Sequence, residues 1–122
     1  MPGTPEQIGD DGMDAAGEEL ADRIRALLSV GTELEERRMF GTRAFLLDGR
    51  ILVGARRGGV LLVRVSDENG AALLVRPGVT TAAMGAKTMG PSWLDVAPSA
   101  VAEDDDLMFW LDAAREDNAA LS

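Results

Sequence analysis

Cysteine and histidine are both missing from the sequence. Without thiols there is no thiolate nucleophile and no disulfide, and without imidazole the commonest general acid/base and the usual zinc ligand sets are gone. Long apolar runs are missing too, since charges interrupt every hydrophobic stretch well short of the roughly 18–20 residues that cross a bilayer. The opening Met1-Pro2-Gly3-Thr4 soon turns acidic and has neither the basic start nor the apolar run of a secretory signal, so a cytoplasmic location and no membrane partner are expected. Tyrosine is absent, and the aromatic residues are two Trp and three Phe, which leaves little for stacking on bases. Positive charge is also in short supply: 12 Lys and Arg face 21 Asp and Glu, and the net charge of −9 repels bulk nucleic acid and anionic membrane.

What remains suffices for one folded unit. At 122 residues the chain has the length of a single domain. A domain of that size buries on the order of 65% of its unfolded surface, enough to fold without disulfides or a structural metal. Its charge is partitioned along the chain. Residues 1–36 carry ten acids and two bases, residues 37–87 nine bases and three acids, and residues 88–122 eight acids and one base. An acidic beginning and end therefore enclose a basic middle that folding can partly neutralise. Residues 1–13 hold Pro, Gly and acids with almost no apolar content, too little to offset the entropy of ordering them. They are expected to be a flexible acidic tail, with a single domain over residues 14–118 and a C-terminal tail at 119–122.

From Asp14 the pattern turns helical: Leu20, Ile24, Leu27 and Leu28 share one side of a helical wheel, Asp14 can cap the start and Gly31 can end the helix. Short apolar runs broken by turn residues then predict antiparallel strands from about Glu33 to Val65. Glu33 to Phe40 alternates loosely. Ala44–Leu47 and Ile51–Ala55 flank Asp48-Gly49, a favoured pair for the two-residue hairpin turn whose twist matches that of paired strands. Arg56-Arg57-Gly58-Gly59 breaks the chain again before Val60–Val65, where Leu61, Val63 and Val65 fall on one side. Ser66 or Asp67 is placed to cap a short helix reaching to about Val75 and ended by Pro77-Gly78. Residues 79–85 and 87–96 resemble two more strands, the second interrupted at Gly90-Pro91. Asp104-Asp105-Asp106 then precede Leu107, Trp110, Leu111 and Ala114, an i, i+3, i+4, i+7 stripe that predicts a last amphipathic helix to about Asn118. Strands and helices segregated in this way predict an α+β fold in two layers, an antiparallel sheet with helices packed on one face, in the order α-β-β-β-β-α-β-β-α.

Several of these segments together resemble a known family. Arg38-Met39-Phe40-Gly41, Ala44-Phe45-Leu46, Asp48-Gly49-Arg50, Leu61-Leu62-Val63-Arg64-Val65, Pro77-Gly78, Met84, Met89 and Trp93-Leu94-Asp95-Val96 are similar, in this order, to the successive signatures of TfoX N-terminal domains. The resemblance covers about Ala21 to Ala114. It implies a two-layer α+β fold similar to type III secretion chaperones, a bacterial origin and a link to regulation of DNA uptake. Competence regulators of that family carry a second domain after this one; the resemblance stops before any such part, and what it does is not carried over. Two places depart from the family pattern: Arg56-Arg57 fills a turn that is usually small and polar, and Gly90-Pro91-Ser92 stands where relatives often have a Lys-Gly pair.

Motifs for chemistry are scarce. Gly54-Ala55-Arg56-Arg57-Gly58-Gly59 lacks the Lys-Ser/Thr pair of a phosphate-binding loop, and a single Arg57-Gly58-Gly59 lacks the multiplicity of RNA-binding arginine-glycine segments; a turn accounts for both. Asp104-Asp105-Asp106 has the ligand chemistry for a hard cation, but capping and the helix dipole explain three acids at a helix start. Trp93 and Trp110 lie on apolar faces of predicted elements and are expected in the core, with an interface as the alternative. No catalytic residue, metal ligand or cofactor site is assigned, and a non-enzymatic protein is expected. The basic middle is the candidate for binding a partner: Arg37, Arg38, Arg43, Arg50, Arg56, Arg57 and Arg64, with Arg76 and Lys87 near them in sequence. Strand alternation is expected to turn Arg43 and Arg64 away from the core. The competing reading has these bases scattered and paired with the acidic helices. The expected function is a regulatory or protein-interaction module, as a homodimer or with another protein; a nucleic-acid-binding accessory protein using residues 37–87 is the alternative.

Overall fold

The computed structural model describes residues 13–28, 34–39, 41–84, 87–88 and 90–121. The expected tail up to residue 12, the helix stop at Gly31, Phe40 and Met89 lie outside these residues. The elements in chain order are α1 (Ala15–Leu28), β1 (Glu35–Met39), β2 (Thr42–Leu47), β3 (Arg50–Ala55), a 3-10 turn (Arg57–Gly59), β4 (Leu61–Arg64), α2 (Asp67–Leu73), β5 (Val79–Thr81), β6 (Ala83–Met84), β7 (Lys87–Thr88), β8 (Trp93–Val96), a second 3-10 turn (Pro98–Val101) and α3 (Asp104–Leu121). Six strands form one antiparallel sheet in the order β1-β2-β3-β4-β8-β5, while β6 and β7 pair separately as a small ribbon.

Local chemistry sets most of these boundaries. The Asp14 carboxylate accepts the Gly17 N–H at 2.9 Å and so caps α1. Leu47 pairs with Arg50 around Asp48 and Gly49, whose φ angles of 56° and 79° are both left-handed, as the hairpin turn requires. Ser66 caps α2, its hydroxyl accepting the Asn69 N–H at 3.1 Å. The two strands expected over residues 79–85 and 87–96 are each divided. Ala82 still donates to the Trp93 carbonyl, but one residue later the Ala83 carbonyl is taken by the Arg56 side chain and the chain leaves the sheet. It rejoins after a turn in which Trp93 donates to the Gly90 carbonyl. The last helix runs on past Asn118 to Leu121, through alanines that favour helix.

The cross-strand rows separate the two faces of the sheet. Phe45, Val53, Val63 and Leu94 form one row, and Ala55, Leu61, Val96 and Val79 the next. Both rows lie in the core beneath Leu20, Ala21, Ile24 and Leu28 of α1 and Leu107, Trp110, Leu111 and Ala114 of α3. Each large apolar side chain buried in this way stabilises the fold by about 1.5–3 kcal/mol. The ladder shifts by one residue between Phe45 and Leu46, so Leu52 is an extra residue in β3 and enters the core beside Val53. The other face carries Ala44, Gly54 and Leu62 in one row, continued by Asp95 and Thr80.

Candidate functional site

The basic middle of the chain is distributed over both faces of the sheet. On β2 the core residue is Phe45, and Arg43, two residues earlier, shares its side, so Arg43 faces the helices and not away from the core as alternation was expected to place it. It is 8% exposed. Its guanidinium meets the Glu18 carboxylate of α1 and lies 4.0 Å from that of Glu36 on β1. Glu36 also receives two hydrogen bonds from Arg25, each 2.8 Å, in the paired geometry that suits guanidinium and carboxylate. The Arg25 hydrogen bond holds the Glu36 carboxyl below its ordinary range, the charges of Arg25, Arg43 and Arg38 add to this, and burial opposes it. This cluster fastens the edge strand β1, none of whose residues is fully buried, to α1.

Arg37, Arg56 and Arg64 take the other face. Arg37 pairs locally with Glu35 at 2.7 Å. Arg56 is half-buried, its Nη1 lying 2.9 Å from both Asp95 carboxylate oxygens and its Nη2 donating to the Ala83 carbonyl at 3.1 Å. It thereby ties the small ribbon to the sheet. Arg64 lies with its guanidinium 5.5 Å from the centroid of Trp93, within cation–π range. Trp93 itself is half-buried on this face and outside the core cluster, whereas Trp110 is buried as expected. The difference follows from register: on β8 the core positions are Leu94 and Val96, and Trp93 has the opposite parity.

Arg50 is half-buried where the β2–β3 hairpin closes, and Arg57 is exposed in the first 3-10 turn. There the Asp14 carboxylate also accepts the Gly58 N–H, at 3.0 and 2.9 Å from its two oxygens, so one side chain caps α1 and holds the turn. The Gly17 and Gly58 N–H groups lower the Asp14 pKa. Of the acids at the start of α3, Asp104 pairs with Arg23 at 3.0 Å. Among the described residues no three acids gather closely enough to hold a metal ion.

The acidic end of the chain is more continuous. A groove of about 570 Å³ runs between the β2–β3 hairpin and the second half of α3, lined by Leu47, Asp48, Asp112, Arg115, Glu116 and Asn118. Beside it on α3, Phe109 is exposed, and the Arg76 guanidinium lies 4.3 Å from its ring centroid. Phe109 was not among the sequence candidates because it lies off the Leu107, Trp110, Leu111, Ala114 stripe. That displacement was itself the available signal, a large apolar residue at a polar position of the wheel.

A profile of the TfoX N-terminal domain matches residues 26–117. Among solved structures, the crystal structure of a protein from Pseudomonas syringae, a structural-genomics target, superposes with a TM-score of 0.53 at 12% sequence identity, over 77% of this chain and 92% of that one. At that identity the likeness speaks for the fold alone. No curated protein matches the chain.

Proposed function

This chain belongs to the TfoX N-terminal domain family, and on that footing we propose that it is a non-enzymatic regulatory module that works in the cytoplasm through contacts with another protein or a second copy of itself. The observation that carries this reading is the engagement of its basic side chains. Arg23, Arg25, Arg43 and Arg56 bind carboxylates of the chain itself, and Arg64 and Arg76 lie over aromatic rings. A nucleic-acid surface needs bases gathered on one face and turned to phosphate. The lack of thiol and imidazole, which removes the commonest nucleophile and general acid/base groups, also favours a non-enzymatic role.

Light scattering on the purified chain, combined with cross-linking in cells, tests the reading. Self-association at micromolar concentration or a specific cross-linked protein is the expected result. A strict monomer that cross-links to nothing overturns it. Tight binding to duplex DNA with a steep negative dependence on salt would replace it with the nucleic-acid function.

A further inference from the structure

Among the described residues the large apolar side chains left exposed are Val75, at 84%, and Phe109, at 39%. The chain around Val75 reaches the outer side of α3 through Arg76. Arg76, next to Val75 in the chain, lies over the Phe109 ring and 5.8 Å from the centroid of Trp110. Phe109 stands in the outward ridge of α3 with Asp105, Asp112 and Glu116, which share its side of the helix at offsets of −4, +3 and +7 and are exposed. None of these three carboxylates has an ion pair among the described residues.

An acidic helix face needs no partner, but a Phe at its centre does not improve solvation. The Arg76 contact shows in miniature what such a patch receives: a guanidinium over an aromatic ring. The field around it narrows the choice of occupant. α3 carries six acids and one base in a chain of net charge −9. A second copy presenting the same ridge would set like charges against each other, and nucleic acid would be repelled.

We propose that the ridge from Val75 and Arg76 across to Phe109, Asp112 and Glu116 is a docking surface for a basic amphipathic segment of a partner protein. An apolar side chain of that segment rests on Phe109 and Val75, and its Lys or Arg side chains meet Asp105, Asp112 and Glu116. The proposal rests on the reading of the chain as a protein-interaction module.

Photo-cross-linking in cells separates the two. Benzoylphenylalanine is introduced in place of Val75 or Phe109, and in parallel in place of Arg37 or Arg64 on the far face of the sheet. The expected result is a protein adduct from positions 75 and 109, mapped to a peptide of net positive charge, whose yield falls about tenfold in an Asp105→Asn/Asp112→Asn/Glu116→Gln background. Adducts from the far face only, or an adduct peptide that is not basic, overturn the docking surface and leave the interaction reading standing. Adducts from no position overturn both. A purified arm uses an amphipathic Leu/Lys peptide as probe, with its Leu/Glu counterpart as control, against the isotope-labelled chain. NMR shifts centred on residues 73–76 and 105–116, with affinity about tenfold weaker in Phe109→Ser, support the proposal. Shifts spread evenly over all acidic surfaces, unchanged by Phe109→Ser, refute it.

Discussion

Replacing Gly70 by Ala in α2 sets two effects of opposite sign against each other. As a matter of helix propensity the change is favourable, since Gly in a helix interior is about 1 kcal/mol worse than Ala. In the folded chain the added methyl would stand 1.7 Å from the Pro91 carbonyl oxygen and 2.6 Å from its carbon, where ordinary contact begins at 3.4 Å. These are backbone atoms and cannot swing aside. The loop that holds them is fixed on both sides, by Trp93 donating to the Gly90 carbonyl at 3.2 Å and by Val65 donating to the Ser92 carbonyl at 2.9 Å. Opening the contact sacrifices both hydrogen bonds, at about 1 kcal/mol each, together with the packing of Val65 beside Gly70. After the gain in propensity, a net loss of about 1–2 kcal/mol is expected, lowering the urea midpoint by about 0.5–1 M. Ala71→Gly, at an exposed position of the same helix, is the control and loses about 1 kcal/mol with no clash. Equilibrium urea unfolding followed by Trp fluorescence measures both. A Gly70→Ala protein as stable as the wild type, or more so, refutes the close approach of α2 to the Gly90-Pro91 loop.

Arg56→Met leaves the half-buried Asp95 carboxylate without its partner and is expected to cost about 1–3 kcal/mol, part of which Arg56→Met/Asp95→Leu recovers; equal stability of the double and single variants contradicts this. Gly49→Ala meets no neighbour, so its expected cost of about 1 kcal/mol comes only from the positive φ, and Gly49→Asn, which tolerates that region, should cost less. If Asn proves as damaging as Ala in thermal unfolding, the turn assignment is wrong. The folded-state pKa values of Asp14 and Glu36 are depressed, so the unfolded chain takes up more protons as acid is added. Their contribution to stability is complete above about pH 5 and is lost as pH falls through the carboxylate range towards the depressed values. Asp14→Asn and Glu36→Gln should each flatten the acid limb of Tm against pH, and variant limbs that parallel the wild type would argue against these contacts.

The hairpin at Asp48-Gly49, the capping of α1 by Asp14 and of α2 by Ser66, and the buried stripe of α3 were all legible in the sequence. Each depends on residues within a few positions of one another, where turn chemistry and helical period act directly. Legibility failed where a distant group intervened. The segment from Val79 leaves the sheet after Ala82, where the next carbonyl accepts from the distant Arg56, and nothing near residue 83 announces that contact. Arg43 differs: its two-residue offset from Phe45 already puts both on one side of β2, and folding adds only the Glu18 carboxylate that pairs it there.

By itself the sequence determined the class of the fold, the hairpin and helix boundaries to within a few residues, the family and the absence of thiol and imidazole chemistry, since composition, period and local turn preferences need no partner to take effect. The tertiary structure alone decided which bases are paired with acids of the chain itself. The deciding contacts join residues far apart in the chain, Arg43 to Glu18 across 25 positions, Arg56 to Asp95 across 39 and Arg23 to Asp104 across 81. Whether a charge is neutralised or left to face solvent depends on such pairings, and they come into being only when the sheet and helices close on one another.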